Sequence, residues 1–376
     1  MDPKILPQTV VEENEQLKFT LSGVNVSIAN SLRRIILSEI DTVVFKTYNE
    51  EVNTCIIEKN TTSLNNEIIK QRLGCMPIHI QDLDMPLENY QLEIDEENNT
   101  DTIRHVTSND FKIKNITTNT YLSENDKQNI FPPSDQTGYY IDFLRLKPKL
   151  SEQIPGEAIS LTCKFSIGNA KENGMYNVVS AASYGNTTDD VKQEIELNKQ
   201  KKIWKDQGFT TDKINFESKN WKLLDGLRIA KKDSFDFLIE TVGVFTNKEI
   251  VHKGCDKLIK KLQELDTLIG GEGDDDKLDK LEIKESNTTM KNCFDVIIPN
   301  EDYTTGKALE FVLYHKFYET NDLLSFCGFK KHHPHDDDSI IRLAYNDVID
   351  KMSIQGHLKT CINDLIEIYN KIKKSI

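Results

Sequence analysis

Apolar residues recur every three or four positions in two long stretches of the chain, a pattern that predicts amphipathic helices. The apolar positions of the first stretch are Val251, Cys255, Leu258, Leu262, Leu265 and Ile269. Those of the second stretch are Ile354, Leu358, Cys361, Ile362, Leu365, Ile368, Tyr369 and Ile372. The second stretch is the last of the sequence, and the first precedes a glycine-rich segment. The part of the chain before the glycine-rich segment and the part after it therefore each end with a helix of similar length.

The two parts also open alike. Alternating apolar residues at 17–21 and again at 294–298 predict a short strand, and each strand is followed by a helical pattern. When Ser27 is aligned with Thr304, the apolar residues of the two helices coincide: Leu32 with Leu309, Ile35 with Val312, and Ile36 with Leu313. The chain thus contains two copies of one unit, which predicts two units packed face to face with pseudo-twofold symmetry.

About 200 residues separate the first helix from the helix at 251, far more than the second copy contains. Strand-like stretches lie within them, at 55–57, 90–94, 139–144 and 159–165. We interpret this part as a β-rich insert. The stretch 187–230 is highly charged and partly helical, and a strand at 235–244 returns to the parent unit.

These patterns predict an α+β fold in which two related units pack as an intramolecular pseudo-dimer. The first unit comprises residues 1–50 and 230–269, and its β-rich insert comprises 51–229. An acidic linker is predicted at 270–292, where three glycines and a run of aspartates cannot pack a core. Residues 293–376 form the second unit.

Composition and charge exclude several classes. The net charge is −14 and 38% of the residues are hydrophobic, values that favour a globular protein and disfavour binding of nucleic acid over a broad surface. No apolar run approaches the ~18 residues of a membrane-spanning helix, and the first residues, Met1 to Lys4, lack the apolar region expected of a signal peptide. The seven cysteines form no CxxC pair, so we expect reduced thiols in an intracellular protein and no zinc site built from cysteines.

The candidate chemistry is sparse. His332, His333 and His335, followed by Asp336, Asp337 and Asp338, could hold a metal ion, and a metal-dependent hydrolase using this loop is the alternative function. The loop lies between two strand patterns, which favours a polar hairpin turn. The carboxylates at 274–276 lie in the linker and cannot form a rigid two-metal site. No phosphate-binding loop, GxSxG or HExxH motif is present.

Residues 27–39 (SIANSLRRIILSE) resemble the first dimerisation helix of the α-like subunits of multisubunit RNA polymerases, a family that includes the bacterial α subunit, its archaeal D-type counterpart and the third subunit of polymerase II. Residues 60–77, 161–173 and 235–262 resemble later segments of the same subunit. Residues 301–306 and 326–334 resemble its small partner, the eleventh subunit of polymerase II or the archaeal L-type counterpart. The covalent join of both partners resembles the layout of polymerases from large cytoplasmic DNA viruses.

The resemblance implies a non-catalytic assembly platform without a cofactor, on which the second-largest, the largest and small polymerase subunits dock. DNA would be contacted only through the complex, and no homodimer is expected. The implied location is the host cytoplasm and virion for a viral protein, and otherwise the nucleus. The pseudo-dimer interface would comprise Ile28, Leu32, Ile35, Ile36, Leu258, Leu262, Leu265, Leu309, Val312, Leu313, Leu358, Ile362 and Leu365. The residues that dock partner subunits would be Arg33, Arg34, Arg72 and Gly74.

One departure from the family pattern concerns metals. Many third subunits and their archaeal D-type counterparts carry a cysteine cluster for zinc or iron–sulfur in the insert. The corresponding residues of this chain, roughly 80–100, contain no cysteine, so we expect an insert without a metal.

Overall fold

The computed structural model describes residues 1–151, 153–270 and 281–376. Its strands are β1 (Lys4–Ile5), β2 (Val11–Glu13), β3 (Gln16–Ser22), β4 (Thr42–Phe45), β5 (Cys55–Asn60), β6 (Tyr90–Glu97), β7 (Arg104–Thr107), β8 (Lys112–Asn115), β9 (Thr120–Tyr121), β10 (Asp142–Leu146), β11 (Ala158–Gly168), β12 (Val179–Thr188), β13 (Ala230–Thr241), β14 (Glu282–Glu285), β15 (Cys293–Ile298), β16 (Leu324–Lys330) and β17 (Ser339–Tyr345). Its α-helices are α1 (Val26–Ser38), α2 (Asn66–Gly74), α3 (Glu124–Ile130), α4 (Asp190–Asp206), α5 (Thr211–Leu223), α6 (Asn247–Gly270), α7 (Tyr303–Leu313) and α8 (Lys351–Ser375). A π-helical turn, Tyr314–Thr320, follows α7.

The chain divides into two compact units. The first unit comprises residues 1–36, 181–240 and 251–376, and the second comprises 37–180 and 241–250. Both contain strands and helices, as the predicted α+β class requires.

Within the first unit, one arrangement occurs twice. A five-stranded sheet belongs to the N-terminal repeat, which ends with α6; its order is β1-β3-β13-β12, and β2 also pairs with β3. A sheet with the order β14-β15-β17-β16 belongs to the C-terminal repeat, which ends with α8. In both repeats the strand before the first helix pairs antiparallel with the strand before the last helix, β3 with β13 and β15 with β17. Apart from inserted segments, the order in each repeat is strand pair, helix, strand pair, helix, in agreement with the internal repeat predicted from the sequence.

The repeats differ in what is inserted. Helices α4 and α5 pack on each other between β12 and β13 of the N-terminal repeat, at the place where the C-terminal repeat has the loop 331–338 between β16 and β17. The partly helical character predicted for 187–230 is therefore correct. The short loop, by contrast, is flanked by the two strands of an antiparallel hairpin.

Local sequence explains where the paired helices begin. Asn25 accepts a hydrogen bond from the Ser27 amide at 2.9 Å before α1, and Asp302 accepts one from the Thr304 amide at 2.7 Å before α7. A short polar side chain in this position satisfies an amide that has no partner inside the helix. The following residues then place an apolar stripe on one helical face.

The second unit is built around the long strand β11. It lies between β4 and β6 in a sheet that continues through β8 to β9, and β5 also pairs with β11. A separate antiparallel pair joins β7 and β10. The core contains the ring of Phe111 in edge-to-face contact with Phe131 and Phe143, at centroid distances of 5.3 and 5.4 Å.

Several predicted boundaries are wrong. The second unit starts at residue 37 rather than 51, and residues 181–229 lie in the first unit, because β12 extends the sheet of the N-terminal repeat. The strand predicted at 139–144 begins only at Asp142. Residues Glu282–Glu285 of the predicted linker form β14, which pairs with β15 and places Ile283 inside. Residues 271–280 of that linker lie outside the described residues.

Candidate subunit interface

The interface residues predicted from the sequence lie on α1, α6, α7 and α8, and all of them are buried. None is more than 4% exposed. These residues all belong to the first unit, so the apolar stripes of the four helices are buried from water within one chain. Burial of this kind identifies the faces that pack; the contacts between named atoms identify which helices meet.

Helix α1 of the N-terminal repeat contacts α8 of the C-terminal repeat through a buried hydrogen bond. The hydroxyl oxygens of Ser31 and Tyr369 are 2.7 Å apart. The Ser31 hydroxyl donates to the carbonyl of Ile28 at 2.7 Å, so the Tyr369 hydroxyl is the donor to Ser31. Burial raises the pKa of Tyr369, which keeps this hydroxyl protonated.

Three further contacts bring the four helices together. A methyl group added to Gly254 of α6 would lie 2.9 Å from Cγ1 of Ile36 and 3.4 Å from Cδ1 of Leu32, so α6 approaches α1 closely. The ammonium of Lys373 on α8 lies 2.6 Å from a carboxylate oxygen of Asp256 on α6. Helix α7 packs directly on α8. Helices of the N-terminal repeat and of the C-terminal repeat therefore share one core.

Four charged residues meet beside the start of α7, and we call them the charged corner: Arg34, Lys261, Glu301 and Asp302. The guanidinium of Arg34 lies 3.5 Å from the Asp302 carboxylate, and Lys261 lies 3.4 Å from Glu301. Burial alone would raise the pKa of Asp302. The hydrogen bonds from Thr304 and the charges of Arg34 and Lys261 outweigh it and hold this pKa below its usual value.

The structure gives the two predicted docking arginines of α1 different surroundings. Arg33 is half-buried, and its guanidinium donates to the side-chain oxygen of Asn30 on its own helix at 2.8 and 3.0 Å. Arg34 is more exposed and pairs with Asp302 across the two repeats. Sequence adjacency made them look equivalent, although they point to different partners.

Arg72 and Gly74 each make close contacts within the second unit. Arg72 donates to the backbone carbonyls of Phe143 and Asp142 at 2.7 and 2.8 Å, which fixes β10 against α2. A methyl group added to Gly74 would come within 2.7 Å of Met175 and Thr47. The guanidinium of Arg72 and the backbone at Gly74 thus have structural roles inside the unit, although Arg72 is also exposed. Their docking role stays a prediction.

The histidine loop is exposed, and its rings pack on each other. His333 and His335 stack at a centroid distance of 5.0 Å, and the amide of His335 donates to the ring of His333 at 3.1 Å. Across residues 1–151, 153–270 and 281–376, no three His, Cys, Asp or Glu side chains converge in a geometry suited to a metal ion. In the same ranges, no helix has the length and apolar character needed to cross a membrane.

Sequence reasoning missed five residues of this interface: Ser31, Tyr369, Lys261, Glu301 and Asp302. Tyr369 stood in the apolar stripe of the last helix, and its hydroxyl was the one signal that a polar partner must be buried with it. The charged corner joins residues from segments that lie far apart along the chain, so neither spacing nor periodicity could have paired them.

Comparison with known proteins decides the family. Residues 18–262 match the family model of the RNA polymerase Rpb3/Rpb11 dimerisation domain, which is more than half of the chain. The chain belongs to this family. The match runs from β3 and α1, through the second unit, into α6, so it includes α1 and the greater part of α6.

Named relatives are distant in sequence. The chain is 24% identical to the human DNA-directed RNA polymerases I and III subunit RPAC1 over 304 residues, which cover 69% of this chain and 83% of the human protein. It is 34% identical to the DNA-directed RNA polymerase subunit Rpo3 of Pyrococcus furiosus over 86 residues, or 23% of this chain and 28% of that one. A conjugation stage-specific protein of Tetrahymena thermophila is 24% identical over 290 residues, which cover 66% and 90% of the two chains.

Proposed function

We propose that this chain is a non-catalytic assembly subunit of a DNA-directed RNA polymerase. The observation that carries the proposal is the family match over residues 18–262, combined with a second copy of the same strand and helix order at 282–375. The N-terminal repeat then acts as the third-subunit-like partner and the C-terminal repeat as the eleventh-subunit-like partner. The two repeats form a pseudo-dimer through α1, α6, α7 and α8.

Fusion of the two partners has a physical consequence. Two repeats on one chain meet at an effective concentration on the order of millimolar, so their pairing does not depend on the concentration of the chain. The platform is then complete in one polypeptide, on which the second-largest subunit can assemble, followed by the largest. Small subunits would join the same assembly, and DNA would be reached only through it.

Docking of the second-largest subunit is assigned to the exposed side of α1. Arg33 is our first choice, because Asn30 holds its guanidinium in place and no carboxylate in the described part of the chain pairs with it. An arginine held in this way can bind carboxylates or carbonyls of another protein through two parallel hydrogen bonds.

A direct test is capture of the second-largest subunit by the immobilised chain. We expect wild-type chain to retain that subunit, and Arg33→Glu to weaken capture while leaving the melting temperature within a degree or so of wild type. Lys202→Glu, on exposed α4, is the matched charge reversal and should capture normally. Absence of capture by the wild-type chain would refute the proposed function, whereas normal capture by Arg33→Glu would refute only the role of that arginine.

We further propose a large cytoplasmic DNA virus as the source, with the protein in the host cytoplasm and in the virion. The support is the joining of both dimerisation partners in one chain. Detection of this chain among the polymerase subunits of purified virions would test it, and its recovery from the nuclear polymerase of an uninfected cell would contradict it.

A further inference from the structure

The charged corner occurs at one of two equivalent places in the pseudo-dimer. In the alignment of the repeats, Arg34 of α1 corresponds to Phe311 of α7, and Asp302 corresponds to Asn25. The apolar stripes of α6 and α8 likewise make Lys261 equivalent to Asp364. The corner therefore has two cations from the N-terminal repeat and two carboxylates from the C-terminal repeat, while its counterpart has neither set.

We infer that the charged corner makes each repeat select the other kind of repeat, rather than a second copy of its own kind. This inference rests on the proposed pseudo-dimer. The partner is the opposite repeat of the same chain, and the residues that determine this choice are Arg34, Lys261, Glu301 and Asp302.

A pair of two N-terminal repeats, or of two C-terminal repeats, would not contain the charged corner. If two N-terminal repeats paired, Arg34 and Lys261 would face Val24 and Asn25, which carry no charge. If two C-terminal repeats paired, Asp364 would face Glu301 and Asp302. Lys316 of the same repeat lies 2.7 Å from Asp364 and offsets part of the repulsion. Bringing three carboxylates together is still unfavourable, so the second arrangement is disfavoured.

Burial makes the corner better suited to selection than to stability. The side chains of Lys261 and Glu301 are only 11% and 12% exposed. An ion pair at this depth gains little net stability, because removing both charges from water costs about as much as their attraction returns. Replacing one member of the pair by a residue of opposite charge, however, brings like charges together at this depth and is strongly unfavourable. The pair thus penalises wrong partners more than it strengthens the right one.

Two full-length variants test this by exchange of repeats. In Lys261→Glu an acid faces Glu301 and Asp302, and in Glu301→Lys a cation faces Lys261 and Arg34. Each variant alone should melt several degrees below wild type and stay monomeric. When both are unfolded together and refolded, reciprocal exchange creates one charge-swapped corner and one wild-type corner, so we expect a dimer of twice the chain mass in sedimentation velocity.

The double variant Lys261→Glu/Glu301→Lys should be monomeric and recover most of the lost melting temperature. The matched control uses Lys316 and Asp364, which lie 2.7 Å apart but both belong to the C-terminal repeat. Mixing Lys316→Glu with Asp364→Lys should give no dimer, because exchange of repeats cannot reunite complementary charges.

The inference is overturned if the Lys261/Glu301 mixture stays monomeric, or if the double variant melts no higher than the weaker single variant. Neither result bears on the proposed function, which depends on capture of the second-largest subunit by the wild-type chain. A dimer in the mixture together with a recovered double variant supports the inference.

Discussion

The hydrogen bond between Ser31 and Tyr369 gives the sharpest energetic prediction, because it joins α1 of one repeat to α8 of the other in a site closed to water. The two residues are 0% and 1% exposed. In Ser31→Ala the tyrosine hydroxyl stays buried without an acceptor, which costs about 1–3 kcal/mol. In Tyr369→Phe the serine hydroxyl still donates to Ile28, so only one hydrogen bond is lost, at about 1 kcal/mol.

The double variant has neither orphaned group. Its cost should therefore fall below the sum of the single costs by about 1 kcal/mol, which is the coupling energy of a double-mutant cycle. The assay is urea unfolding of the four full-length proteins, with the free energy of unfolding extrapolated to water.

A matched cycle supplies the control. Tyr345 is a second buried tyrosine, whose hydroxyl lies 3.1 Å from the ring of His357 within the C-terminal repeat. Ser31→Ala combined with Tyr345→Phe should be additive within about 0.5 kcal/mol, because the two residues share no partner. If the Ser31/Tyr369 cycle is equally additive, α1 and α8 do not meet as described and the reasoning is refuted.

Three further predictions concern the same core. Leu32→Asp with Leu309→Asp buries two unpaired carboxylates and should abolish the cooperative unfolding transition at neutral pH; a thermal midpoint like that of wild type would exclude both side chains from the core. Gly306→Ala places a methyl group in the ring of Phe329 and should cost about 1–3 kcal/mol in urea unfolding, part of which Phe329→Leu in the same chain should restore; an unchanged midpoint would contradict the close packing. Asp302 has a lowered pKa, so its contribution to stability is present above pH ~4 and is lost as the pH falls below that value; Asp302→Asn should flatten the acid side of the stability profile, and an unaltered profile would contradict the ion pair.

Much of the first unit could be predicted from sequence, because long apolar stripes leave a helix few alternatives. The four stripes on α1, α6, α7 and α8 correspond to buried helices, and the alternating runs at 17–21 and 294–298 correspond to β3 and β15. Periodicity depends on local chain geometry, and that geometry is the same wherever the helix ends up in the fold.

Polar strands could not be found in the same way. Glu282–Glu285 buries one residue of four, and β12 contains two serines, a glycine and two threonines, so neither shows the apolar alternation of a strand. Both form because a neighbouring strand supplies hydrogen bonds, which is a tertiary effect. The error in the insert boundary has the same cause, since β12 was counted with the insert that precedes it.

Of the candidate interface, the sequence analysis predicted the buried apolar residues but not the polar and charged contacts. Side chains that pack can be recognised from one helix, whereas an ion pair needs two segments whose approach only the fold determines. The resemblance grouped Arg34 with Arg33 as a docking residue, and the fold shows that Arg34 also contacts Asp302. Arg72 was grouped with them because of a family motif, although backbone carbonyls of β10 occupy its guanidinium.

The stoichiometry of the assembly tests the central claim most directly. The chain, the second-largest subunit and the largest subunit would be combined at known concentrations, and the mass of the purified complex measured by sedimentation or native mass spectrometry. A pseudo-dimer made from the two repeats of one chain predicts one copy of each protein. Two copies of this chain in the complex would mean that its repeats pair between molecules, which would contradict the intramolecular pseudo-dimer.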